Sequence, residues 1–173
     1  MSATGAARPA ERDVVHAVFG DEARHATSPR RSSLIAVLAD ADLIVHAGDV
    51  VSAAALRELE ELGPVAAVHG NVDDAELQAA LPGRRVVETG GARIGVVHDA
   101  GPRAGRHERL AAAFPDCDAI VYGHTHLPEV TRAADVWILN PGSPTERRRA
   151  PHRSLIVVEV DGLDLRPRLV TLP

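Results

Sequence analysis

Three apolar runs of near-identical design constrain this chain more than any other feature. "VVHAVFG" (14–20), "DLIVHAG" (42–48) and "PVAAVHG" (64–70) are each rich in Val, Ile or Ala, and each ends in glycine. Runs this short and this continuously apolar are the signature of strands buried on both faces. Between them lie segments with helical spacing, "SSLIAVLADA" (32–41) and "SAAALRELEELG" (52–63). In the second, Ser52 stands where an N-cap is expected and Gly63 just past the end. Strand, helix, strand alternation implies right-handed crossovers and a largely parallel sheet.

The second half changes style. "RRVVETGGARIGVV" (84–97) reads as two strands joined at Gly90-Gly91, and "SLIVVEVDGLDLRPRLVTL" (154–172) as two joined at Asp161-Gly162, both two-residue hairpin signals. A helix is expected around residues 103–114. The expected fold class is α/β, with two mixed β-sheets packed face to face as a sandwich and helices outside. Aromatic residues make up only 2% of the chain, so Val, Leu, Ile and Ala must fill the core. At 173 residues the simplest organisation is one domain over 13–173, with the polar stretch 1–12 as a tail.

A net charge of −5 argues against bulk electrostatic binding to nucleic acid. No apolar stretch approaches the roughly 20 residues of a membrane span. The opening "MSATGAARPAERD" has no hydrophobic core of a signal peptide, and Cys117 is the single cysteine. Together these point to the cytoplasm, with Cys117 as a small buried side chain.

The residues just beyond the apolar runs are more specific. Asp21, Asp49, Asn71, His98 and His124 stand at the ends of five successive runs, with His126 two residues beyond. Functional groups in open α/β sheets gather at the carboxyl ends of strands, where loops converge. An i, i+2 histidine pair diverges on a helix but can aim at one point from a loop. Singly, each residue could be a turn former or a solvated side chain. Jointly, carboxylate, amide oxygen and imidazole at recurring strand ends form a metal-ligand pattern.

The blocks "GDE", "GDV", "GNVD", "VVHDAG" and "GHTH", in this order, resemble the signature of the calcineurin-like metallophosphoesterases. The short length and "LNPGSPTERRR" (139–149) are similar to the small YfcE-type phosphodiesterase branch. The resemblance covers residues 14–172. It implies a two-metal site at the top of a β-sandwich flanked by helices. One ion would take Asp49, Asn71, His98 and His124, and the other Asp21, Asp49 and His126, with Asp49 as the bridge. The chain departs from the family at one ligand. Where the family has a histidine two residues after the first Asp, this chain has Ala23, so that ion is expected to be weak or absent unless His25 substitutes.

Such a donor set suits Mn²⁺, Fe²⁺, Zn²⁺ or Ni²⁺. Paired ions lower the pKa of a shared water and clamp phosphate oxygens during in-line attack. The expected function is therefore phosphoester hydrolysis, with phosphodiesters the favoured substrates and Asp49, Asn71 and His98 at its centre. Asn71 is followed by Val72, which cannot protonate a leaving group, so leaving groups needing little protonation are favoured. Asp73 and Asp99 are candidates to orient the histidine ligands, or simple turn residues. Arg147 could contact a substrate phosphate or belong to a solvated arginine run. His16, His46 and His69 read as strand residues with satisfied hydrogen bonds. The alternative from another class is a weak or inactive relative acting as a protein-interaction scaffold, as the retromer sorting subunit of this fold does. Partners are a small phosphoester, no membrane, and room for a homo-oligomer.

Overall fold

The computed structural model describes residues 13–18, 29–146 and 148–173. These residues form ten strands and four helices in the order β1 (Asp13–Val18), α1 (Pro29–Leu38), β2 (Leu43–His46), α2 (Ala53–Glu60), β3 (Val65–Ala67), α3 (Ala75–Ala80), β4 (Arg84–Thr89), β5 (Ala92–Val97), α4 (Arg106–Ala113), β6 (Ala119–Tyr122), β7 (Glu129–Ala133), β8 (Val136–Asn140), β9 (Arg153–Asp161) and β10 (Asp164–Leu172). The strands form two five-stranded mixed sheets, ordered β10-β9-β1-β2-β3 and β4-β5-β6-β8-β7. In the first, β1, β2 and β3 run parallel and the β9–β10 hairpin is antiparallel. In the second, β5, β6 and β8 run parallel between the antiparallel edges β4 and β7.

The two sheets face each other across an aliphatic core. Val45, Ala66, Ile156 and Val158 from the first meet Val87, Ile94, Val121 and Leu139 from the second in one cluster. Helices cover the outer faces. Leu38 of α1 and Leu59 of α2 pack on Ile44, and Leu110 of α4 and Phe114, just past its end, pack on Ile120, Tyr122 and Ile138. Short β2 and β6 carry almost no polar side chains because both of their faces are buried, one by the facing sheet and one by helices. This is the expected sandwich flanked by helices. Cys117 is buried, as expected. Among the described residues, no helix is long and apolar enough to cross a membrane.

Local chemistry sets several boundaries. The Ser52 hydroxyl accepts from Ala55 N at 3.3 Å, capping α2 as expected. Gly90 and Gly91 both have positive φ, 55° and 89°, as the tight β4–β5 turn requires. The other hairpin is shifted by one residue from its expected place: Asp161 pairs with Asp164, so the turn is Gly162-Leu163. A glycine with φ 62° at the first turn position serves as well as Asp-Gly, and it leaves Leu163 exposed at the tip. Helix α3 and the β7–β8 hairpin were not among the expected elements. They are short, and β7 alternates between intermediate and exposed positions with no strongly apolar run.

Candidate metal centre

Each of the parallel strands β2, β3, β5 and β6 runs out into a tight loop at the same end of the sandwich. The first two belong to one sheet and the last two to the other. The side chains just beyond them, Asp49, Asn71, His98 and His124, converge there.

Close packing makes the convergence possible. Gly48 has φ 91°, and a Cβ on it would lie 2.6 Å from His98 Nδ1. A Cβ on Gly70 would lie 2.1 Å from Asp49 Oδ1 and 2.4 Å from the Asp49 nitrogen. The glycines before Asp49 and Asn71 therefore let the His98 ring and the Asp49 carboxylate sit against bare backbone. Asp49 itself has φ 61°, and His124 and His126 have 66° and 56°. Val51 at φ 81° is a β-branched residue in the same region. Non-glycine residues in the left-handed region cost on the order of 1–3 kcal/mol each and persist only where the surroundings over-determine them. Four such residues crowd the loops of this one cluster.

Hydrogen bonding fixes the tautomer of His98. Its Nδ1–H donates to the Ala47 carbonyl at 2.8 Å, which leaves Nε2 with its lone pair facing the cluster. That Nε2 lies 2.9 Å from Asn71 Oδ1, 3.4 Å from Asp49 Oδ1 and 3.3 Å from His124 Nδ1. His124 Nδ1 is in turn 3.0 Å from Asn71 Oδ1. The His98 and His124 rings meet edge to face, 5.1 Å between centroids. Asp49 Oδ1 accepts from Val72 N at 3.1 Å, so it enters the cluster already oriented.

Three of these atoms, His98 Nε2, Asn71 Oδ1 and Asp49 Oδ1, are acceptors facing one another, an arrangement that a shared cation would reconcile. The separations fit one. Donor atoms on neighbouring corners around an ion with bonds of about 2.1 Å lie about 3.0–3.4 Å apart. Among the described residues no set of three or more His, Cys, Asp or Glu side chains forms a ready-made metal cage. The amide of Asn71 joins the two histidines and the carboxylate.

His126 is fully buried. Its Nδ1–H donates to the Glu146 carbonyl at 3.0 Å, making Nε2 its basic nitrogen. Burial lowers its pKa, the Arg148 charge adds to that, and Asp49 lies near enough for its charge to oppose both. Asp21, Ala23, His25 and Arg147 lie outside the described residues.

Among the described residues, Asp73 and Asp99 accept from backbone amides, as turn residues do. The buried Asp73 carboxylate accepts from Val51 N at 2.5 Å and Gly70 N at 2.6 Å, tying the Asp49 turn to the Asn71 turn. Asp99 accepts from Gly101 N at 2.7 Å and closes a local turn. His46 also differs from expectation: it is buried, and its Nδ1 has no hydrogen-bond partner among the described residues. The histidine pair has an anchor that the spacing of ligands did not point to. Asn140 is fully buried and donates to the Gly123 carbonyl at 3.1 Å and to Thr125 Oγ1 at 3.0 Å, bracing the loop from inside. Its position at the end of the apolar run "WIL" was the available signal. Ser143 is buried too and accepts from Glu146 N at 2.9 Å, so this part of "NPGSPTE" serves structure.

A family model for the calcineurin-like phosphoesterase superfamily domain matches residues 15–163. A protein of Methanothermobacter thermautotrophicus named "Probable metallophosphoesterase" is 36% identical over 133 residues, 76% of each chain. Among solved structures, a Thermotoga maritima protein is 32% identical with a TM-score of 0.69, the match covering 92% of this chain and 99% of that one. Vps29 of Chaetomium thermophilum has a TM-score of 0.74 at 19% identity, covering 93% and 100%.

Proposed function

This chain belongs to the calcineurin-like phosphoesterase superfamily, and from that premise we propose that it is a metal-dependent phosphoesterase acting on small phosphodiesters. The observation that carries the proposal is the acceptor cluster. With the His98 proton committed to Ala47, the lone pairs of His98 Nε2 and Asn71 Oδ1 and the charge of Asp49 all point inward, 2.9–3.4 Å from the His98 nitrogen. Asp49, Asn71, His98 and His124 would hold one divalent ion, of Mn, Fe, Zn or Ni. Asp21, the shared Asp49 and His126 would hold a second, weaker one, with His25 as the substitute for the ligand missing at Ala23.

When bound, such ions supply an activated water and charge neutralisation at the phosphoryl group. The chain's own residues do the rest. The Val72 N–H keeps the Asp49 carboxylate turned inward, and the Ala47 carbonyl keeps His98 in the Nδ1–H tautomer. The exposed Val72 side chain carries no proton to give, which favours substrates whose leaving group departs as a stable anion. Arg147 is proposed to contact the substrate phosphate. The single cysteine suits a reducing, cytoplasmic setting.

The test measures Mn²⁺ binding and hydrolysis of an activated aryl phosphodiester on the same sample. His124→Ala should lose both the tight ion and turnover, and full activity in that variant would remove the assignment. Ala23→His should flatten the dependence on added Mn²⁺ beyond one equivalent and raise turnover. A protein that binds Mn²⁺ yet hydrolyses nothing, even as Ala23→His, would favour the scaffold role that Ala23 suggests.

A further inference from the structure

The loop carrying both candidate histidine ligands is closed at its base by a second set of side chains. Strand β6 ends at Tyr122 and β7 begins at Glu129, so residues 123–128 form a short arch between them. The Tyr122 hydroxyl, on a side chain only 1% exposed, donates to Glu129 Oε2 across the foot of that arch. Two consecutive residues in the first turn of α4 brace the pair from a third element. Arg106 Nη1 donates to the Tyr122 oxygen at 3.1 Å, and its guanidinium carbon lies 5.1 Å from the ring centroid. Arg106 Nη2 also donates to the Gly101 carbonyl at 3.1 Å. His107 Nε2 donates to Glu129 Oε1 at 2.8 Å. The helix carrying both is pinned to the sheet through Leu110 and, at its C-terminal cap, Phe114.

The arch needs such bracing. His124 and His126 both sit in the left-handed region, a conformation their side chains disfavour by about 1–2 kcal/mol each. An arch freed at its feet would relax toward ordinary backbone, and the imidazoles would turn away. Asn140 holds the arch from within, and the Tyr122–Glu129 pair holds its ends together.

We propose that the Tyr122–Glu129 clasp, braced by Arg106 and His107, is a positioning device that keeps His124 and His126 aimed for ligation, and so sets metal affinity. This rests on the proposed metal-site function. Tyr122 and Glu129 act through the arch and touch no substrate.

The experiment compares the full chain with Tyr122→Phe and Glu129→Gln. Mn²⁺ affinity is read from the electron-spin signal of free Mn²⁺, and the His124 and His126 ring signals are tracked by NMR in metal-free protein. Loss of the clasp should weaken Mn²⁺ binding about tenfold, as for other residues that orient ligands. It should also shift the two ring signals, while that of His69 stays in place. Glu129→Gln keeps an acceptor for Tyr122, so its effect should be smaller than that of Tyr122→Phe. Because Glu129 is partly exposed, that variant remains informative should Tyr122→Phe fail to fold. A fall in the unfolding midpoint with unchanged Mn²⁺ affinity and unchanged ring signals would overturn the proposal. Should the natural protein bind no Mn²⁺, the metal-dependent function fails, and the ring signals alone decide whether the clasp positions the histidines.

Discussion

Replacing Asp73 by Asn tests whether one buried carboxylate ties the two ligand-bearing turns together. The two carboxylate oxygens are used separately: Oδ1 takes the Val51 N–H at 2.5 Å and Oδ2 takes the Gly70 N–H at 2.6 Å. An amide of the same shape has one acceptor, so its NH₂ must confront one of these N–H groups. Hydrogen bonds to a charged acceptor contribute about 1.5–3 kcal/mol, and a stranded buried donor costs about 1–3 kcal/mol. Allowing for partial relaxation, Asp73→Asn should destabilise the protein by about 2–4 kcal/mol, a Tm shift of roughly 4–16 °C for a domain of this size. Its neighbour provides the control. Asp74 caps α3 by accepting from Leu77 N at 2.9 Å, and Asn is as good a cap as Asp. Asp74→Asn should therefore cost little. Urea unfolding in the presence of a chelator measures both, with the slope m unchanged. Mn²⁺ affinity should fall with stability in Asp73→Asn, because Asp49 and Asn71 lose their common anchor. Equal unfolding midpoints for the two variants would refute the reasoning.

Gly48→Ala should cripple the cluster with little change elsewhere, since the new methyl group falls 2.6–2.9 Å from three His98 atoms on a backbone with φ 91°. Mn²⁺ titration should show at least about tenfold weaker binding, the scale expected when a ligand is misoriented, and an unchanged affinity would contradict the packing. Stability should also fall in acid through His46. Burial pushes its pKa down to about 4, with the Asp73 charge opposing and the His98 charge adding. An unfolded chain's histidine titrates near ~6.5, so the unfolded state takes up the proton first as pH drops. The stability tied to neutral His46 is therefore full above about 6.5 and drains towards pH 4, by at most about 1.4 kcal/mol per pH unit. Urea midpoints of chelated protein between pH 7 and 5 should show this slope, reduced in His46→Gln. An equal slope in both would exclude His46 as its source.

Much of the architecture was legible in the chain because its signals are local. Apolar runs ending in glycine marked β2 and β3, Ser52 marked the start of α2, and Gly90-Gly91 marked a turn that needs two positive φ angles. The same logic placed Asp49, Asn71, His98 and His124 at strand ends, which parallel crossovers bring to one edge. What stayed hidden depends on partners far apart in sequence. The β9–β10 turn falls at Gly162-Leu163 because pairing along the whole hairpin sets its register, and an Asp-Gly pair alone cannot do so. Asp73 could have been a histidine partner or a turn residue, and it serves two backbone amides, because the turns of β2 and β3 close over it. The true acceptor for His98 is a carbonyl 51 residues earlier, which any residue could have supplied. Residue type and spacing determined which groups could ligate. Only the meeting of two sheets decided which lone pairs face inward, because backbone carbonyls and amides, which carry no sequence signature, orient them.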